Sequence, residues 1–141
     1  MSQRDDLQRP PLNTETIQTF VVDACGGDME IVLEMVDFFL SSAAGLVAEM
    51  ESSLAGENLS VVRRAAHSLK SSSRMFSAER LADLCALAET RAEQEGGVNV
   101  AELLPHMQAE LTWLVIELPA TCRGMMGESG TVISKQWDSK Q

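Results

Sequence analysis

From Asp28 to Leu54 apolar residues recur at three- and four-residue intervals: Ile31, Val32, Met35, Phe38, Phe39, Leu46, Val47, Met50 and Leu54. That spacing holds for more than six helical turns and predicts one long amphipathic helix, capped by Asp28 with Glu30 in its first turn. Small residues from Ser41 to Gly45 interrupt it and suit the close approach of another helix. Before it, Asn13 or Thr14 can cap a short helix with the apolar face Ile17, Phe20, Val21 and Ala24, stopped by Gly26-Gly27. After it, Gly56-Glu57-Asn58 is a turn, with Asn58 the cap of a helix from about Leu59 to Ser73. Ser77 would cap a fourth with apolar Leu81, Leu84, Cys85, Leu87 and Ala88, ended by Glu95-Gly96-Gly97. Asn99 and Glu102 resemble a capping box for a fifth, with the face Leu104, Met107, Leu111, Leu114, Val115 and Leu118. Pro105 predicts a kink or a start later than Asn99, and Pro119 would close the helix.

No strand alternation and no fixed-period repeat competes with these helices. The expected fold is all-α: an antiparallel four-helix bundle over residues 13–119 with an additional short N-terminal helix as a lid. Residues 1–12, ending in Pro10-Pro11, read as a loose arm, and residues 120–141 as a mobile tail.

Composition refines the picture. The 141 residues fit one domain, and a chain of that length buries roughly two-thirds of its unfolded surface. The polar start Met1-Ser2-Gln3-Arg4-Asp5-Asp6 is unlike a signal peptide, and no uninterrupted apolar run approaches a membrane span, so a cytoplasmic protein without membrane contact is expected. Cys25, Cys85 and Cys122 form no CxxC or CxxH pair and read as reduced thiols in or near the core. A net charge of -10 excludes general nucleic-acid binding, which needs a basic field. The charge is unevenly spread. No basic residue falls between Arg9 and Arg63, whereas Arg63, Arg64, Lys70 and Arg74 crowd within twelve positions.

That basic cluster surrounds His67. Residues three and four apart on a helix are neighbours, so Arg63, Lys70, Ser71 and Arg74 share a surface with His67, and Arg64 lies at its edge. Val62, Ala66 and Leu69 fall mainly on the other side. A nucleophile ringed by cations in an acidic protein suits a histidine that meets phosphate. Ser71, Ser72 and Ser73 read as helix surface and packing residues, and His106 as a surface residue of the last helix without a chemical role.

The stretch from Gly26 to Leu118 resembles the histidine-containing phosphotransfer (HPt) domain of bacterial multistep phosphorelays. The resemblance is carried by Cys25-Gly26-Gly27-Asp28 with Phe38-Phe39-Leu40, by Ala65-Ala66-His67-Ser68-Leu69-Lys70-Ser71-Ser72-Ser73, and by Ser77-Ala78-Glu79-Arg80-Leu81-Ala82-Asp83-Leu84-Cys85 with Leu87 and Glu89. A lone HxLK is weak, but the ordered set over three helices is specific. The resemblance implies that His67 accepts a phosphoryl group from a receiver-domain aspartate and passes it to another receiver, with Lys70 steadying the charge. Arg63, Arg64, Ser71 and Arg74 would meet the partner. Ser71 and Ser77 stand where the family usually has glycine, and both are small enough to keep the surface accessible. Implied partners are receiver domains of response regulators or hybrid histidine kinases, met by a monomer. No cofactor of its own is expected, Mg2+ belonging to the receiver.

Two other classes compete with this reading. A histidine kinase dimerisation segment would place an acidic residue after its histidine and a proline about five positions on, where Ser68 and Ser72 stand, and would be followed by a Gly-rich nucleotide-binding domain. A non-catalytic helical adaptor, with His67 incidental, is the remaining alternative. A phosphotransfer intermediate without its own ATP site fits the pattern best.

Overall fold

The computed structural model describes residues 11–94 and 97–125. Asn13 opens the first element, its Oδ1 accepting hydrogen bonds from the backbone N–H groups of Glu15 (2.9 Å) and Thr16 (3.2 Å). The segment that follows, α1, is α-helical over Thr14–Ile17, π-helical over Gln18–Val22 and 3-10 over Asp23–Cys25. The wider π turn rotates its inner face. Ile17, Val21 and Val22 are buried while Phe20 and Ala24 are exposed, so the expected face is corrected at two positions. Gly26 (φ 67) and Gly27 (φ 80) end α1 in the left-handed region that glycine enters without strain.

Four long helices then build the bundle: α2 (Met29–Ala55), α3 (Leu59–Met75), α4 (Glu79–Gln94) and, after the short α5 (Gly97–Ala101), α6 (Leu104–Gly124). Asp28 caps α2 through bonds from Glu30 N (3.0 Å) and Ile31 N (3.4 Å). The short turns between successive helices make neighbours antiparallel. α3 packs against α4 and α2, and α6 packs against α2 and α4. No strand occurs among the described residues, and the expected all-α bundle is the fold.

The core is a stripe from each helix. α2 contributes Met29, Val32, Val36, Phe39, Ala43, Val47 and Met50; α3 contributes Val62, Ala65, Ala66 and Leu69. Phe39 stacks on Phe76 just past the end of α3, with ring centroids 4.5 Å apart. By length and composition α2 could cross a membrane, with a mean hydropathy of 1.8 in its most apolar stretch; here its buried stripe packs against α3 and α6. Among its small residues Ala43 is buried, whereas Gly45 is exposed with open space around it. Ile31, Met35 and Phe38, expected to face inward, are exposed instead, Phe38 at 74%.

Two boundaries, at Ser77 and Pro119, differ from expectation, and the late start of α6 is one of the two outcomes that Pro105 predicts. Ser77 does not cap α4; it lies one residue earlier, at φ 63, and Ala82 N–H bonds to Ala78 O. Asn99 lies inside α5, its carbonyl accepting from Arg91 Nη1 at 2.8 Å, and α6 starts later, at Leu104 with Pro105 in its first turn. Pro119 does not close α6, which runs on to Gly124 with Cys122 buried, so residues 120–124 continue the bundle and are no loose tail. Proline deprives Val115 of its helical hydrogen-bond donor, but Val115 is exposed and water can replace it, while Leu118 and Cys122 anchor both sides in the core. The arm over residues 1–10, the expected stop at residues 95–96, and residues 126–141 lie outside the described residues.

Neighbouring phenylalanines on α2 give a direct test. Phe39→Ala should lower stability by about 3–5 kcal/mol, because it empties a buried site and breaks the ring stack. Phe38→Ala should stay within about 0.5 kcal/mol. Urea unfolding of both variants checks this ordering.

Candidate functional site

His67 lies in the middle of α3 with its side chain 63% exposed. It stands outside because Val62, Ala66 and Leu69 commit the opposite side of α3 to the core. The adjoining helix α4 runs antiparallel to α3, and its one-turn spacing of Glu89 and Glu93 matches the one-turn spacing of Arg63 and His67. Arg63 Nη1 lies 3.4 Å from Glu93 Oε1, and His67 Nδ1 lies 2.9 Å from Glu89 Oε2. The other carboxylate oxygen, Glu89 Oε1, lies 2.6 Å from Lys70 Nζ. One carboxylate therefore bridges an imidazole and an ammonium group presented one turn apart on α3.

The charged group in contact with the imidazole is thus an anion, not one of the cations expected around it. Lys70 is 20% exposed and Glu89 21%, so the pair is set into the α3–α4 seam while the imidazole projects beyond it. Burial pushes the Glu89 carboxyl up, but bonding to Lys70 and His67 and their charges outweigh it, holding the group below the usual carboxylate range. An ionised carboxylate can only accept hydrogen bonds, so the Nδ1 facing it is the protonated nitrogen. In a neutral ring Nε2 then carries the free lone pair, on the edge away from Glu89 and toward solvent.

The other sequence candidates divide into two groups. Arg63 is tied to Glu93 across the seam, in a pair that is half exposed at both ends. Arg64, Ser71 and Arg74 are exposed, and neither arginine forms an ion pair among the described residues. Ser72 Oγ bonds back to the carbonyls of Ser68 (3.2 Å) and Leu69 (3.3 Å), and Ser73 is buried, so both serve helix α3 itself.

Glu89 belongs to the segment that carries the family resemblance, but neither it nor Glu93 has a role that the sequence alone assigns. Their signal was the i, i+4 acidic spacing on α4, which acquires meaning only once the register with α3 is known. Among the described residues no group of three His, Cys, Asp or Glu side chains is placed to hold a metal ion. Cys85, buried in α4, has its thiol pushed up to about 12 by burial and the nearby Glu89 charge. Burial likewise raises Cys122 to about 11, and it raises Cys25. His106 is exposed and lines an open groove of about 250 Å3 between α4 and α6, with Arg80, Asp83 and the buried Glu110.

The Hpt domain family model matches residues 34–115, more than half of the chain. The chain belongs to the Hpt domain family, whose members are helical phosphocarriers of two-component phosphorelays. Comparison with curated proteins and with solved structures gave no match. At the level of the family, the function is histidine phosphotransfer in signal transduction, in exchange with receiver domains and generally without an ATP site of its own.

The lowered Glu89 pKa sets a pH dependence. A carboxyl whose pKa falls on folding stabilises the fold in full above its unfolded value, near 4.5, and loses that contribution as pH falls through the lower folded value. The stability gap between the parent and Glu89→Gln, from urea unfolding, should therefore narrow as pH falls below 4.5. A gap that stays constant down to about pH 3 would contradict the pairing.

Proposed function

We propose that this chain is a phosphorelay carrier in which His67 Nε2 takes a phosphoryl group from a receiver aspartate and returns it to another receiver. The observation that carries this reading is the bond between Glu89 and Nδ1, which in a neutral ring leaves the lone pair on Nε2 of a side chain that is 63% exposed. The Nε2 lone pair attacks the phosphorus of the aspartyl phosphate. The P–N bond forms as the P–O bond to the aspartate breaks, and the electron pair leaves with the aspartate carboxylate. The ring, still protonated on Nδ1, becomes cationic, and Glu89 at 2.9 Å offsets that charge as the carboxylate of a catalytic triad does for its imidazolium. Lys70, held at the seam by the same carboxylate, is one turn from His67 and supplies positive charge to the phosphoryl oxygens. The same residues serve the reverse transfer. Mg2+ belongs to the receiver's aspartate pocket.

A receiver domain docks over His67. Its footprint of about 800 Å2 is a disc roughly 30 Å across. Met75, eight residues along α3, is about 12 Å away by helical rise and falls within that radius. Exposed Phe38 stands beside Phe39, which packs at the same end of α3 as Met75. Met35 and Ile31 extend the apolar strip along α2. These residues supply apolar area around the nucleophile, while Arg64 and Arg74 meet the acidic surroundings of the receiver's phosphorylated aspartate. The chain acts as a monomer in the cytoplasm.

Incubation with a phosphorylated receiver should place acid-labile label on the parent and none on His67→Gln, with both helical by circular dichroism. Full labelling of the variant would move the site elsewhere, and an unlabelled parent across a receiver panel would favour the adaptor reading. Lys70→Ala should slow transfer roughly 10- to 100-fold while leaving the chain helical by circular dichroism. Unchanged transfer kinetics would remove Lys70 from the mechanism.

A further inference from the structure

Ser77 occupies a backbone conformation that favours glycine, φ 63, and shares positive φ among the described non-glycine residues only with Glu57. Its side chain is not idle there. Ser77 Oγ accepts a hydrogen bond of 2.7 Å from the backbone N–H of Asn13, a contact spanning 64 positions in sequence. Ser77 is only 7% exposed and lies between the core residues Phe76 and Ala78. Asn13 in turn caps α1 through its own side chain. This bond ties the start of α1 to the turn between the His67 helix and α4.

α1 needs such a fixture. It passes from a short α-helical turn to a π turn and a 3-10 turn, and is held below by the apolar seats of Ile17, Val21 and Val22. Its far end is fastened to α2 through Gly26 and Gly27, and its near end by Ser77. From its outer side Phe20 projects at 54% exposure, on the π turn that packs against α2, the helix whose exposed residues include Ile31, Met35 and Phe38. Ser77 itself lies in the turn just past the end of α3, two residues beyond Met75. Glycine would adopt this turn without strain but offers no side-chain acceptor, so serine supplies a bond that glycine lacks.

We infer that Ser77 is a positioning residue of the receiver-docking surface: by holding Asn13 it sets α1, and thereby Phe20, in the area that a receiver domain covers. This rests on the phosphocarrier reading. The residue touches no reacting atom, so its loss should weaken docking without slowing transfer inside the complex.

The test uses the full chain and a receiver domain shown to label the parent on His67. Ser77→Gly removes the acceptor and relieves the left-handed strain; Ser77→Ala removes the acceptor and keeps the strain. Both should speed hydrogen exchange at the Asn13 amide at least tenfold and weaken receiver Kd about 3- to 10-fold, with single-turnover transfer at saturation unchanged. Ser77→Gly should melt higher than Ser77→Ala, so a loss of binding common to both cannot be a stability effect. Phe20→Ala should weaken Kd to a similar degree, and combining it with Ser77→Gly should add little. An unchanged Kd in Ser77→Gly or in Phe20→Ala overturns the inference, as does unchanged Asn13 exchange or a binding loss that follows melting temperature. If no receiver labels the parent, the phosphocarrier reading fails and this inference with it; a labelled parent with unaltered variants overturns this inference alone.

Discussion

Everything distinctive about this surface depends on one carboxylate. Glu89 offers one oxygen to the imidazole of His67 and the other to the ammonium of Lys70. A histidine standing free on a helix can present either nitrogen and either tautomer. Bonded through Nδ1 to an ionised carboxylate, a neutral ring keeps its free lone pair on Nε2. The same contact restrains the long side chain of Lys70, whose rotamer freedom would otherwise oppose placing its charge. Both restraints are in place before any partner arrives, which is the kind of preorganisation that phosphoryl transfer rewards.

The bundle supplies the register that this carboxylate needs. Arg63 faces Glu93 one turn above the point where His67 faces Glu89, so the α3–α4 seam carries an ordered ladder of opposite charge. The ladder is set by the core beneath it, where Val62, Ala66 and Leu69 on α3 and Leu81, Cys85 and Ala88 on α4 are fully buried. A slip of either helix by one residue would rotate its polar stripe by about 100° and dissolve the site. Apolar packing therefore holds the chemistry in alignment, while exposed ion pairs such as Arg63–Glu93 add little energy. At the far end of α3 the Phe39–Phe76 stack closes the core and leaves Phe38 and Met75 outside, so the packing also fixes which apolar residues remain available to a partner.

The four long helices, the Asn13 and Asp28 caps and the exposure of His67 were legible in the sequence, because each is local: a 3.6-residue period, a side chain capping its own helix, a polar stripe. What was not legible depends on tertiary partners. The outward turn of Phe20 follows from a π turn that periodicity cannot announce. Pro119 reads as a stop until Leu118 and Cys122 are seen to anchor the chain on either side. Ser77 reads as a helix cap until Asn13, 64 residues away, is found bonded to it. Glu89, 22 positions from His67, can be matched to it only through the register of two helices. The basic cluster was visible in the sequence; the anion that organises it was not.

If Glu89 reserves Nδ1, it is Nε2 that accepts the phosphoryl group. Nitrogen NMR of the chain labelled at histidine, recorded before and after transfer from a phosphorylated receiver, reads this directly. The expected result is a protonated Nδ1 on His67 before transfer and phosphorus coupled to His67 Nε2 afterwards. Phosphorus coupled to Nδ1, or a phosphorylated chain in which both His67 nitrogens are unaltered, would contradict it.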